Sequence, residues 1–263
     1  MFASRVEGEK YTASIHAGFS AHEERERVKR QQAQCMNTPK RMLDYLKSSP
    51  MAQEAFDDQG EERVLQNIDY LFQRCSEITK FKPDALLDKL DFKPNSRKDE
   101  EWLAALVSVM KTIVLLRDQF DFEEIAPLKK PNSQPEADLK ATRRGVTYAI
   151  EVYKPKEDKT VDCNFQLAEI VADKYDYDGK EYKEGKKKQT RATMVNHSSS
   201  RELFVINFES CSIPKKELQN AAKYALAKMI GFPETHILIF TGTKWYEPSK
   251  EDECWAIEPA LPD

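Results

Sequence analysis

Asp138, Lys140, Glu151 and Lys154 bring two carboxylates and two ammonium groups into one short stretch of the chain. Carboxylates are hard oxygen donors for a cation, and an ammonium beside them neutralises negative charge, so such a set works only if the backbone aims its members together. The residues AIEVYKP at 149–155 read as a strand, on which successive side chains alternate between faces. Glu151 and Tyr153 then share one face while Lys154 points to the other. Lys154 rejoins Glu151 only across a bulge, an irregularity with which the following Pro155 is compatible. Lys140 stands two residues after Asp138, on the same face of its own strand, although "DLK" is equally an ordinary solvent-facing pattern.

A second set of candidates is the basic run KEYKEGKKKQTR at 180–191. Its Lys186, Lys187, Lys188 and Arg191 are suited to track a phosphate backbone, and Tyr175, Tyr177 and Tyr182 to stack on bases. The competing reading is a solvated, lysine-rich loop over 176–200. The chain carries a net charge of -4, so there is no overall drive toward a polyanion, and any such contact must be local. Five cysteines, odd in number and never in a C-x-x-C pair, argue against a disulfide framework and structural zinc. No Ser/His/Asp set, glycine-rich phosphate loop or histidine metal motif is present.

The elements that must position these residues fall into two parts. The first is helical. Thr38 and Pro39 read as a cap and first-turn proline, and Ser49-Pro50 as a stop. Val64, Ile68, Leu71, Phe72, Cys75 and Ile78 recur at helical intervals. DEEWLAALVSVMKTIVLLRDQF at 99–120 is the clearest helix, its apolar stripe wide enough to pack on two sides. Beyond it the pattern turns to strands. EADLKAT and GVTYAIEVYKP flank Arg143, Arg144 and Gly145 as a hairpin, and CNFQLAEIVADKY reads as a helix. ELFVINFES is a strand buried on both faces, PKKELQNAAKYALAKMIGF a helix, and HILIFTGTKWYEP a further buried strand, a succession that implies parallel pairing. The expected division is a helical region over 1–97 and an α/β domain over 98–263.

This order, a helix, a hairpin bearing Asp138 and Glu151, a helix, a buried strand, a helix and a buried strand, resembles the restriction-endonuclease-like, or PD-(D/E)XK, superfamily over roughly residues 99–258. Asp138 in PEADLKA matches the family's aspartate and Glu151 in AIEVYKP its second acid. The family's lysine would fall at 153, where this chain has Tyr153. The resemblance implies an α/β fold with a mixed sheet flanked by helices, behind an α-helical N-terminal extension. It implies Mg²⁺ or Mn²⁺ held by Asp138 and Glu151, a lysine supplied by Lys140 or Lys154, and hydrolysis of phosphodiester bonds in DNA or RNA. Gln219 and Tyr224 are similar to a glutamine and tyrosine on a helix of some nucleases of this fold, with a spacing one residue longer. The alternative is a catalytically degenerate module of the same fold that binds nucleic acid or a protein partner.

With 40% apolar and 33% charged residues, no apolar stretch of membrane-spanning length and a polar N-terminal segment, the expected setting is the cytoplasm, without membrane contact.

Overall fold

The computed structural model describes residues 37–91, 99–128, 136–155, 169–170, 172, 185–208, 214–228, 235–241 and 255–262. Asn37–Asp263 form one compact unit. Its helices are α1 (Lys40–Ser48), α2 (Pro50–Gln59), α3 (Glu61–Thr79), α4 (Pro83–Lys89), α5 (Asp99–Phe120), α6 (Gly185–Asn196) and α7 (Lys215–Lys228). Its strands are β1 (Glu123–Pro127), β2 (Leu139–Arg143), β3 (Val146–Tyr153), β4 (Arg201–Phe208), β5 (Thr235–Thr241) and β6 (Trp255–Glu258). They form one mixed sheet in the order β1-β2-β3-β4-β5-β6. The β3/β4 and β4/β5 pairs are parallel and the others antiparallel.

The hairpin forms where the glycine signal places it. Arg144 (φ 48°) and Gly145 (φ 77°) are both left-handed, the backbone of a two-residue turn whose twist matches the strands it joins. β3 stops at Tyr153, two residues before the proline. β4 and β5 are the apolar runs, flanked by helices on both faces as parallel strands require. β1 and β6 escape the sequence reading because each is a short edge strand with little periodicity, and β1 is irregular between Glu123 and Ala126.

α5 is sandwiched between α3 and the sheet, so both sides of its stripe are used. Asn207 on β4 marks this face by donating from Nδ2 to Ser108 Oγ at 2.9 Å. The opposite face carries α6 and α7. There Phe204, Ile206 and Phe208 of β4 and Ile237 and Ile239 of β5 pack with Leu218, Ala221, Ala222 and Ala225 of α7. Small residues on α7 let its backbone lie close to the strands.

Two local readings are corrected. Thr38 does not cap α1. Pro39 occupies that position, and Thr38 donates from its backbone N and Oγ1 to Asp69 Oδ1, because a buried carboxylate on α3 is the stronger acceptor. The segment 185–196 is helix α6 rather than loop, because its polar sequence is folded by packing on β3 and β4 and not by its own periodicity. The expected boundary between 97 and 98 and most of the helix over 163–175 lie outside the described residues, although Glu169, Ile170 and Ala172 are helical. Among the described residues, no helix is long and apolar enough to cross a membrane.

Asp69 also accepts from Asn37 N and Nδ2, so one buried side chain ties the start of the unit to α3. Asp69→Ala is expected to lower the unfolding free energy by about 2–4 kcal/mol, since it leaves buried donors unmatched. Urea denaturation measures this loss.

Candidate functional site

The described groups that best form a site meet at a cleft of about 230 Å³ between α4, α5 and the free end of the β2/β3 hairpin. Asp138, Val152 and Lys154 line one wall, and Lys89, Leu106 and Ser108 are among those that line the other. Asp138 precedes β2, and the β2/β3 ladder ends at the Leu139 and Ile150 pair. There the Val152 backbone N–H donates to Asp138 Oδ2 at 2.9 Å, so a side chain closes the ladder where backbone pairing stops. Val152 and Lys154 are two residues apart and share the α5 face, as strand alternation demands.

The same alternation sends Glu151 the other way. It pairs in register with Phe204, whose side chain packs under α7, and it is fully buried. Tyr153 follows it and packs against the same apolar cluster. Glu151 is the next residue outward from the last ladder pair, as Asp138 is on β2, yet only Asp138 lines the cleft. Lys140 pairs with Ala149 and so belongs to the face of Glu151, away from Lys154. Of the four residues singled out around the hairpin, Asp138 and Lys154 line the cleft, whereas Glu151, beside Asp138 in the register of the hairpin, and Lys140 do not. Among the described residues, no group of three or more His, Cys, Asp or Glu is placed to hold a metal ion.

Lys186, Lys187, Lys188 and Arg191 all lie on α6, with Lys187 and Arg191 one turn apart; their side chains, and the tyrosines at 175, 177 and 182, lie outside the described set. Gln219 and Tyr224 are on the exposed side of α7. Gln219 Nε2 donates to Glu258 Oε1 at 2.7 Å, and Tyr224 is one of the exposed large apolar side chains, at 54%. Gln166, a further polar candidate on the helix read over CNFQLAEIVADKY, lies outside the described residues.

Two buried polar clusters had no signal in the sequence. Glu202 on β4 is fully buried and accepts from Thr190 Oγ1 of α6 at 2.7 Å and from Thr235 Oγ1 of β5 at 2.5 Å. His236 on β5 is 1% exposed. Its Nδ1 lies 2.9 Å from the Pro259 carbonyl oxygen and its Nε2 3.3 Å from Arg201 Nη1. A carbonyl only accepts and a guanidinium only donates, so the ring is the neutral tautomer with its proton on Nδ1. Arg143 holds the same segment by donating to the Pro262 carbonyl oxygen.

Burial, with the charges of Arg201 and Arg143 nearby, pushes the His236 pKa below its ordinary value of 6.5, although the bond to Pro259 opposes this. Below pH about 6.5 the unfolded chain therefore binds a proton that the folded chain resists, and stability falls with pH until the folded value is passed. His236→Gln is expected to flatten the change in unfolding free energy between about pH 7.5 and 5.5, measured by urea titrations across that range.

The fold and the cleft define an α/β protein with a six-stranded mixed sheet flanked by helices, and a cleft of mixed polar and apolar lining at the open end of its hairpin. No protein-family model, curated protein or solved structure matches the chain.

Proposed function

We propose that the chain is a nucleic-acid-binding module on a restriction-endonuclease-like fold, with Asp138 and Lys154 at the contact site and Glu151 serving the interior of the sheet. The fold reading is supported by the order of elements, in which α5, the antiparallel strands β1 to β3, α6 and the parallel strand β4 follow one another as in that superfamily. Lys89 and Lys154 line the cleft together with Asp91 and Asp138, and a basic run lies on α6, on the other face of the sheet. The single observation that carries the choice of binding over hydrolysis is that Glu151 is fully buried and does not line the cleft.

A second reading, a Mg²⁺- or Mn²⁺-dependent nuclease, is favoured by Asp138 and Glu151 standing next to one another beyond the last ladder pair. In that case Lys154, which shares the cleft with Asp138, is better placed than Lys140 to act as the lysine. A metal bound there would polarise the phosphodiester and lower the pKa of an attacking water.

Calorimetric titration of Mg²⁺ and Mn²⁺ into the wild type, Asp138→Ala and Glu151→Gln, with a cleavage assay on the same samples, separates the two. The expected result is nucleic-acid binding without cleavage and no metal binding that depends on Glu151. Stoichiometric metal binding and cleavage, both lost in each variant, would overturn the binding module and establish the nuclease.

A further inference from the structure

We infer that the segment after β6, residues 259–262, is an acid-released strap: a proton taken up by His236 drives it off the end of the sheet. Its attachments are few. Pro259, Ala260 and Pro262 are exposed, and none of residues 259–262 continues the pairing of β6 with β5. Among the described residues, the polar anchors of the segment are two bonds to its carbonyl oxygens, from His236 Nδ1 to Pro259 at 2.9 Å and from Arg143 Nη1 to Pro262. The strands beside it are held by a full ladder and a packed core, so the strap opens at far less cost than the sheet.

The surroundings of the ring fit its neutral form alone. His236 donates from Nδ1 to Pro259 and accepts at Nε2 from Arg201 Nη1, 3.3 Å away. A second proton turns Nε2 into a donor that faces a donor, and sets one cation against another. No group packed on the ring offsets this. β2 contributes Arg143, β4 contributes Arg201, and β3 contributes Tyr148, whose ring centre lies 5.9 Å from the imidazole and whose hydroxyl is kept neutral by burial. Among the described residues, no carboxylate pairs with His236, Arg143 or Arg201. The nearest acids along β4 and β6 are engaged elsewhere, Glu202 with Thr190 and Thr235, and Glu258 with Gln219 and Lys223. Moving Arg201 aside would relieve the repulsion, yet it would leave a charged ring, 1% exposed, with no acceptor at Nε2. The imidazolium gains water only if a neighbour lifts, and the strap, bonded to the ring and held by one further hydrogen bond, is the neighbour free to do so. Burial and the two guanidiniums hold the His236 pKa below 6.5, which places the release below that pH.

The test is an NMR titration of the full chain from about pH 7.5 to about pH 5, labelled with ¹⁵N-alanine and ¹³C-histidine. The Ala260 amide peak is assigned by its loss in Ala260→Gly, and the His236 ring peak, one of four from histidine, by its loss in His236→Gln. In the wild type, the Ala260 peak is expected to move to its random-coil position with the same midpoint as the His236 ring, while far-UV circular dichroism stays constant. His236→Gln keeps a donor for Pro259 and an acceptor for Arg201 but takes up no proton, so its Ala260 peak is expected to stay in place throughout. Arg201→Gln offers the protonated ring an amide oxygen, so there the ring is expected to titrate at a higher pH than in the wild type with the Ala260 peak unmoved. Ring titration with an unmoved wild-type Ala260 peak, or movement that persists in His236→Gln, would overturn the strap. So would a ring that takes up no proton until the whole protein unfolds, or an Ala260 peak that still follows the ring in Arg201→Gln.

Discussion

Lys154→Glu is expected to weaken nucleic-acid binding by more than about tenfold, while Glu151→Gln leaves it within about twofold. The contrast follows from β3 alternation. Lys154 lines the cleft with Asp138 and Asp91, and reversing its charge adds a third negative group where a phosphate must approach. Tenfold corresponds to about 1.4 kcal/mol, a modest demand on one reversed charge at a partly enclosed site. Glu151 is fully buried, in register with Phe204 of β4, and does not line the cleft, so removing its charge changes the interior and not the cleft. Anisotropy at one fixed salt concentration measures both, because the phosphate contribution to affinity depends steeply on salt. The reverse ranking, with Glu151→Gln the damaging change, would point to a metal site and to hydrolysis.

Glu202→Ala is expected to be the most destabilising single substitution discussed for this fold, at about 3–4 kcal/mol. The loss has two parts: the hydroxyls of Thr190 and Thr235 lose a buried acceptor, and the truncated side chain leaves a cavity where α6 meets the sheet. Glu202→Gln keeps one acceptor oxygen and is expected to cost less than half as much. Urea denaturation gives the difference. Because α6 bears the basic run, the alanine variant is also expected to lose α6-dependent nucleic-acid contacts at temperatures where the sheet is still folded. A loss below about 1 kcal/mol would mean that both threonines find other acceptors on relaxation.

Much of the architecture could be read before any coordinates. α3 and α5 have dense apolar stripes at helical spacing, and each formed within the expected bounds. β4 and β5 were visible as continuous apolar runs, and the hairpin turn as a glycine between alternating segments. These features are local, and their periodicity survives whatever packs against them. α6, β1 and β6 were not visible as elements, because each depends on a neighbour. α6 has a polar sequence, tied inward by Thr190 to Glu202 and by Thr193 to the Ala137 backbone N–H.

For the site, the sequence by itself determined that Glu151 and Lys154 face opposite ways on a regular strand, since alternation is a property of the backbone. Which of them meets Asp138 was decided only by tertiary structure. The end of the β2/β3 ladder turns the Asp138 carboxylate onto the Val152 N–H, and α4 and α5 wall off the side occupied by Lys154. Lys89, Ser108 and Asn207 come to the same place from three distant segments, and the tautomer of His236 is set by Arg201 and Pro259, far from it in sequence. Such meetings follow from how the chain closes on itself, and no residue type or spacing along one segment encodes them.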